Sequence, residues 1–126
     1  MNDFKINFLH VCENAFFSEE KKLSVIGIFD LIKTDGLPAF HPRFSIAINV
    51  TGVIFDKKKT IEIISPSGNK IVSSEMKLVN LENKPNANLV INLIGARFPE
   101  KGIYRIIFKI NDQVVSFDRN DIITVD

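Results

Sequence analysis

Cysteine, tryptophan and tyrosine are scarce in this chain of 126 residues, which has one cysteine, no tryptophan and one tyrosine beside eleven phenylalanines. A single cysteine excludes an internal disulfide and a thiol cluster for a metal. Phenylalanine buries area without a polar group to satisfy, so most of these rings should lie in a core. We expect a fold held together by apolar packing, with no metal and no cofactor.

Charge of one sign is also lacking, since 16 basic residues face 15 acidic ones and the formal net charge is +1. No long-range field therefore gathers nucleic acid, acidic lipid or an anionic substrate. No apolar run reaches membrane-spanning length, and residues 1–5 do not begin a signal peptide. We expect a cytoplasmic protein without nucleic-acid or membrane partners.

The most regular pattern lies in residues 98–110, where a turn opens into a strand of period two. Tyr104, Ile106, Phe108 and Ile110 alternate with more polar positions, as in a half-buried antiparallel strand. A turn, a glycine and a tyrosine at the start of such a strand are typical of the tyrosine corner of immunoglobulin-like domains. The phenol is then expected to bond to a nearby backbone group.

Similar alternation predicts strands throughout the chain, and no window carries apolar residues at helical spacing over three turns. The predicted strands cover residues 5–12, 23–33, 44–52, 60–65, 70–78, 88–94 and 102–110, with further strands at 114–117 and 122–125. Pro66 to Asn69 is the strongest turn signal and predicts a hairpin. We predict a single all-β domain over residues 1–126, an immunoglobulin-like or C2-like antiparallel Greek-key β-sandwich of about seven to nine strands.

Two segments are predicted to be connections, Glu13 to Lys22 and Thr34 to Pro42. The second carries two prolines, which argue against a central strand there. Both contain large apolar side chains in segments that otherwise look exposed, and such patches often mark contacts. The predicted interaction surface consists of Phe16, Phe17, Leu37, Phe40 and His41. The alternative is that these rings fold back over the core.

No motif identifies a catalytic residue. His41 is a candidate base with Asp30 or Asp35, but no serine or cysteine nucleophile motif accompanies it. Cys12 lies two residues from His10 on a strand and lacks a local group that would lower its pKa, which favours a buried structural thiol.

Two charged clusters are interpreted as surface features. Lys57, Lys58 and Lys59 form the one basic cluster and are predicted to be a solvated hairpin tip. The segment from Asp118 to Asp121 resembles a calcium-binding loop, but it offers too few oxygen ligands, and a surface turn is favoured.

Four segments resemble a family of small bacterial proteins of unknown function, namely 9–15 (LHVCENA), 23–30 (LSVIGIFD), 37–42 (LPAFHP) and the strand with Gly102 and Tyr104. The resemblance implies an immunoglobulin-like or C2-like sandwich and brings no activity with it. The positions that match the family pattern are Glu13, Asn14, Phe29, Asp30, Pro38 and Pro42.

The expected function is a non-catalytic protein-interaction or assembly module, because sandwiches without catalytic groups mostly offer loops and sheet edges to partners. The partner is expected to be another protein or a second copy, and a homodimer through an edge strand is possible. The alternative is a small-molecule or carbohydrate binder, or a weak hydrolase, that uses the loop from Thr34 to Pro42 with His41 and Asp30 or Asp35.

Overall fold

The computed structural model describes residues 4–54, 56–76, 85–117 and 122–126, and none of these residues lies in a helix. Their regular elements are ten strands: β1 (Lys5–Phe17), β2 (Leu23–Ile28), β3 (Leu31–Ile32), β4 (Ala39–Thr51), β5 (Lys59–Ile64), β6 (Lys70–Met76), β7 (Asn86–Phe98), β8 (Gly102–Ile110), β9 (Gln113–Val115) and β10 (Ile122–Val125).

The strands form two sheets. The first sheet has the order β2-β1-β4-β7, and the second has the order β3-β10-β8-β5-β6, with β9 added beside β8. All pairs are antiparallel except β3 with β10. The predicted all-β sandwich is confirmed, and so is the hairpin of β5 and β6 around the turn 65–69.

The core lies between the inner faces of the two sheets, as the period-two alternation requires. Ile46 and Ile48 from β4 are fully buried, and they share one apolar cluster with Ile61 from β5 and with Tyr104 and Phe108 from β8. The rings of Phe98 and Tyr104 meet edge to face with centroids 5.1 Å apart. Among the described phenylalanines, Phe44, Phe98 and Phe108 are buried, and Phe4, Phe8, Phe29 and Phe117 pack partly buried against the apolar clusters. The expectation that most of these rings lie in the core therefore holds only in part.

Tyr104 makes the predicted tyrosine corner. Its hydroxyl donates a hydrogen bond to the Glu100 carbonyl at 2.6 Å and accepts one from the Glu100 amide at 3.0 Å. Gly102, with φ +129°, lies against Pro66, and a Cβ there would come within 2.8 Å of the Pro66 ring. The turn between β7 and β8 is thus fixed both to the strand that follows it and to the turn between β5 and β6.

The segment predicted as one long strand, residues 23–33, divides between the two sheets. The Phe29 amide donates to the Val11 carbonyl in the first sheet, and the Asp30 carbonyl accepts from Thr124 in the second. Gly27 has φ +70°, and a Cβ there would lie 2.6 Å from the Cγ of Glu13, which explains the glycine by close approach. The prediction of a single strand was wrong, because the apolar pattern runs on from β2 into β3 and does not show that the chain changes sheets between them.

The first predicted connection is also strand. β1 continues past Cys12 to Phe17 and pairs with β2 from Cys12 through Phe17. Only the short turn 18–22 joins the two strands, with the Lys21 amide bonded to the Ser18 carbonyl at 2.9 Å. The run of charged residues at 19–22 lies in the turn alone. The residues before the turn belong to β1, because they pair with β2.

Pro42 lies inside a strand, contrary to the prediction from the two prolines. β4 pairs with β7 through His41 and Arg43 on either side of Pro42, and its pairing with β1 begins only at Ser45. Neither ladder uses the missing amide of Pro42. The residue across from it, Gly95, has φ +69°, and the ladder skips both.

The hairpin of β1 and β2 folds over the outer face of the first sheet. Ala15 on β1, with Leu23 and Val25 on β2, packs into a second apolar cluster that includes Ala47 on β4 and Val90 on β7. This face of a sheet would normally meet solvent. Here the hairpin covers its middle, and the outer face of β4 is buried as well as the inner one.

We expect Tyr104→Phe to lower the free energy of unfolding by about 1–2 kcal/mol, because two backbone groups of Glu100 lose their partner in a partly buried site. Urea unfolding followed by circular dichroism measures the change. Glu100→Ala keeps the backbone groups and should cost less. An unchanged midpoint for Tyr104→Phe would contradict the anchoring role of the phenol.

Glu62 on β5 is buried between two lysines on the outer face of the second sheet. Its carboxylate lies 2.9 Å from the Lys70 Nζ and 3.1 Å from the Lys109 Nζ. Hydrogen bonding from Lys70 first, and then from Lys109, holds the pKa of Glu62 below its usual value of 4.5, although burial opposes this. The ionised form is therefore favoured in the folded protein.

A lowered pKa in the folded state means that the unfolded chain binds more protons below pH 4.5, so the stabilisation is complete above that pH and is lost as the pH falls through the folded-state pKa. Glu62→Gln should therefore flatten the fall of unfolding free energy on acidification. Denaturant titrations between neutral and acid pH measure the unfolding free energy, with Glu75→Gln on β6 as the control. If this free energy falls equally with pH in both variants, Glu62 is not the source of the loss of stability in acid.

Candidate functional site

The residues of the predicted interaction surface lie mostly on strands, and the structure does not gather them at one end of the first sheet. Phe16 and Phe17 belong to β1 and Phe40 and His41 to β4, whereas Leu37 remains in the connection before β4. The expectation that all of them lie in loops was wrong, because both neighbouring strands extend further than their apolar alternation indicates.

Exposure divides this set. Phe16, Leu37 and Phe40 are 43%, 48% and 59% exposed, whereas Phe17 and His41 are half-buried. Phe40 carries the Arg97 guanidinium over its ring, 5.4 Å from the centroid. The alternative that the rings fold back over the core therefore holds for His41, but not for Phe40.

Sequence reasoning missed the residue that completes this patch. Ile94 on β7 is 81% exposed and stands directly across from Arg43 of β4, while Arg97 stands across from Phe40. We call Phe40, Arg43, Ile94 and Arg97 the β4–β7 patch. The signal for Ile94 was present, because Leu93 and Ile94 are consecutive apolar residues in a strand whose alternation allows only one of them to face the core.

The two guanidiniums of the β4–β7 patch have no carboxylate partner among the residues that the structure describes. Arg43 hydrogen-bonds to the Asn14 side chain at 3.5 Å, and Arg97 contacts the Phe40 ring. By contrast, Lys70 and Lys109 share the carboxylate of Glu62 on the other sheet. The β4–β7 patch therefore combines exposed apolar area with positive charge that the described part of the chain leaves unbalanced.

His41 lies among aromatic rings. It stacks on Phe29 with centroids 5.2 Å apart and meets Phe44 edge to face at 5.3 Å. Its Nδ1 is buried without a hydrogen-bond partner. Among the described residues, no hydrogen bond joins His41 to Asp30 or Asp35, so the geometry expected of a base oriented by a carboxylate is not formed in this structure.

Cys12 is fully buried on the outer face of β1, and its Sγ lies 3.6 Å from the Ser45 carbonyl. Burial raises the pKa of the thiol, with a smaller contribution from the charge of Glu13. No described hydrogen bond joins His10 to the thiol, and the His10 ring stacks on Phe8 with centroids 5.0 Å apart. The prediction of a buried cysteine is confirmed.

The basic cluster is only partly solvated. Lys58 lies at the surface near Asp112, but Lys59 is 5% exposed and its Nζ donates to the Ile54 carbonyl at 3.2 Å. Burial lowers the pKa of Lys59, against the smaller opposing effects of Glu75 and Asp56. The prediction of a solvated tip was therefore wrong for Lys59, which begins β5 between Met76 of β6 and Ile110 of β8.

Metal ligands do not converge in the described ranges, where no three His, Cys, Asp or Glu side chains are grouped to hold an ion. The candidate calcium loop at 118–121 lies outside the described residues. No helix in the described part of the chain is long and apolar enough to cross a membrane.

A second candidate region lies on the outer face of the first sheet, where a cleft of about 660 Å³ opens beside the overhanging hairpin. Phe8, His10, Asn49 and Asn88 line it from the sheet, and Lys22 and Leu23 line it from the hairpin. The sequence shows these asparagines as ordinary polar positions on strands. Only the register places Phe8, Asn49 and Asn88 side by side across β1, β4 and β7.

Comparison with known proteins places the chain among proteins without an assigned activity. The model of a family of unknown function, DUF6941, matches residues 7–117. Among solved structures, the crystal structure of an immunoglobulin-like protein from Pseudomonas aeruginosa is similar with a TM-score of 0.48 and 16% identity, over 99% of this chain and 98% of that chain. No curated protein matches.

We expect Cys12 to react with iodoacetamide about a hundredfold more slowly in the folded protein than in urea, since the thiol is buried and its pKa is raised. Mass spectrometry of timed samples measures the rate. Ser73→Cys adds an exposed thiol on β6 as an internal reference, which should react rapidly in the folded state. Equal rates at the two cysteines would show that Cys12 is accessible.

Proposed function

The chain belongs to this family of unknown function, DUF6941, and on that premise we propose that it is a non-catalytic protein-interaction module whose β7 edge and β4–β7 patch bind an extended acidic segment of a partner protein. The observation that carries the proposal is the long strand β7, which pairs on one side only among the described strands and lies beside exposed apolar side chains and two arginines that have no carboxylate partner in the described residues.

β7 is suited to receive another strand. It is 13 residues long and, among the described strands, pairs with β4 alone. Natural edge strands are usually shielded by lysine, proline, inward-pointing charges or short length. The sequence of β7, NANLVINLIGARF, has no lysine, proline or acidic residue. Its unpaired backbone groups therefore support binding by strand addition.

The other edge of the same sheet is less suited. β2 has six residues, and it bends at Gly27, where φ is +70°. β7 contains a glycine of the same kind, Gly95 with φ +69°, so this feature does not separate the two edges. The greater length of β7 favours it over β2 as the docking edge.

The β4–β7 patch supports an acidic partner. Aromatic residues and arginine are enriched at the centres of interfaces. Arg43 and Arg97 have no described ion pair, so carboxylates of a partner would find complementary charge there. A second copy paired through the same edge would bring two more arginines to the interface, which argues for a different protein as the partner.

The environment of His41 supports a non-catalytic role. A catalytic histidine needs a hydrogen-bonded neighbour that orients its ring and a reacting group within reach. His41 has neither in the described residues and instead packs against Phe29 and Phe44. The His41 ring therefore serves as an aromatic packing residue beneath the β4–β7 patch.

The proposal predicts binding of a peptide of about nine alternating valine and glutamate residues, a length that matches a typical strand pairing. Fluorescence anisotropy against the same peptide with lysine in place of glutamate measures the effect of charge. The acidic peptide should bind at least about tenfold more tightly, and added salt should weaken it. Ile94→Ser and Arg97→Glu should each reduce binding.

Matched controls lie on the second sheet. Ile103→Ser replaces an isoleucine that is 57% exposed on β8, and Arg105→Glu reverses an exposed charge on the same strand. Both should leave peptide binding unchanged. Equal affinity for the two peptides, or equal effects of the matched variants, would overturn the proposed surface. If light scattering shows a dimer that dissociates on Ile94→Ser or Phe40→Ser, the partner is a second copy of this chain and not an acidic segment of another protein.

A further inference from the structure

The overhanging hairpin creates a second feature that the edge of β7 does not use. The turn residues Lys21 and Lys22 line the same cleft as Phe8 and Asn49, although the turn lies at the far end of β1 along the chain. The cleft of about 660 Å³ is within the size range of small-molecule sites. Its floor is the sheet, and one wall is the hairpin.

The floor carries an unusual row of amides. Asn7 donates to Asn49 at 2.7 Å, and Asn49 in turn donates to Asn88 and to Asn86, each at 2.7 Å. Asparagine is depleted in strands, so four such side chains joined across three strands are not explained by strand preference. The shared bonds hold the amides in fixed orientations.

Spare hydrogen-bonding capacity lies at Asn88. Each asparagine side chain has two donor hydrogens and an oxygen that accepts two bonds. Asn49 uses all four, because its amide donates to Asn86 and Asn88 and its oxygen accepts from Asn7 and Asn86. The Asn88 side chain has one bond among the described residues, which its oxygen accepts from Asn49. Its amide hydrogens therefore lack a described partner and suit a hydroxyl group of a ligand, while Asn49 holds the Asn88 side chain in place.

An aromatic surface lies beside the amide row. Phe8 stands directly across from Asn49, and its ring stacks with His10 at 5.0 Å and an angle of 21°. The next outer-face position of β4, Ala47, is buried under the hairpin and does not line the cleft. The flat Phe8 ring at the cleft suits a ring-shaped ligand whose carbon–hydrogen face lies on the aromatic surface.

The charge around the cleft is balanced. None of the residues that line it is acidic, and the two lysines of the turn are matched by Glu19 and Glu20, of which Glu20 pairs with Lys22 at 3.1 Å. Neither a strong anion nor a cation is favoured. The lining therefore fits a neutral ligand that presents an apolar ring face and hydroxyl edges together.

We propose that the cleft between the β1–β2 hairpin and the amide row of Asn49 and Asn88 binds a neutral sugar, with its ring on Phe8 and a hydroxyl on the free amide hydrogens of Asn88. This site is separate from the β7 edge and does not rest on the proposed protein interaction. It also differs from the loop from Thr34 to Pro42, because its residues come from β1, β2, β4 and β7.

The test is a nuclear magnetic resonance titration with three neutral trisaccharides: cellotriose, maltotriose and N,N′,N″-triacetylchitotriose. At least one should shift the side-chain amide signals of Asn49 and Asn88 in a saturable manner. Its ring protons should move upfield because they lie over Phe8. Asn88→Ala should weaken binding by about tenfold, the loss expected for one or two hydrogen bonds.

Asn92→Ala is the matched control. Asn92 lies on the same strand and the same face, where it accepts a hydrogen bond from Ser45 at 2.5 Å, but it is not among the residues lining the cleft. This variant should bind the sugar normally. Urea unfolding of both variants separates a loss of fold from a loss of the site, and the acidic peptide should bind both variants equally.

Three outcomes would overturn the proposal. No trisaccharide shifts the two amides, or Asn88→Ala and Asn92→Ala weaken binding equally, or only sulfated trisaccharides bind and do so less at high salt. The last result would reassign the cleft to an anion held by the lysines. Displacement of a bound trisaccharide by the acidic peptide would also count against two separate sites.

Discussion

The burial of β4 on both faces is the constraint on which the rest of the structure depends. Residues 44–48 are consecutive buried positions, and all of them are fully buried. The second sheet covers the inner face, where Ile46 meets the core. The β1–β2 hairpin covers the outer face over Ala47. A strand enclosed in this way must have every backbone group paired, and β1 and β7 supply those pairs.

Both candidate surfaces follow from this arrangement. With β4 central and only four strands in the first sheet, β7 is left at the edge with 13 residues. The hairpin reaches back over β4 but not over the whole outer face, so a cleft remains where Asn49 and Asn88 lie. The same packing that buries Ala47 thus leaves the β7 edge suited to an added strand and the cleft suited to a sugar.

The second sheet is held by local polar contacts as well as by its apolar core. Tyr104 ties the turn at Glu100 to β8, and the Glu62 carboxylate bridges Lys70 and Lys109 across the outer face. Both contacts join residues within the second sheet and its turns.

The sequence by itself determined the all-β class, the tyrosine corner at Tyr104 and the buried state of Cys12, because alternation, turn chemistry and local hydrogen bonding act over a few residues. It could not determine that Phe29 and Asp30 belong to different sheets, that Pro42 sits in a strand, or that Lys59 is buried. Those outcomes depend on which strands become neighbours, a choice made by the total burial of the fold. Ile94 stood out in the pattern, but only the tertiary structure placed it at an edge beside Arg43, and only the register brought Asn49 and Asn88 together.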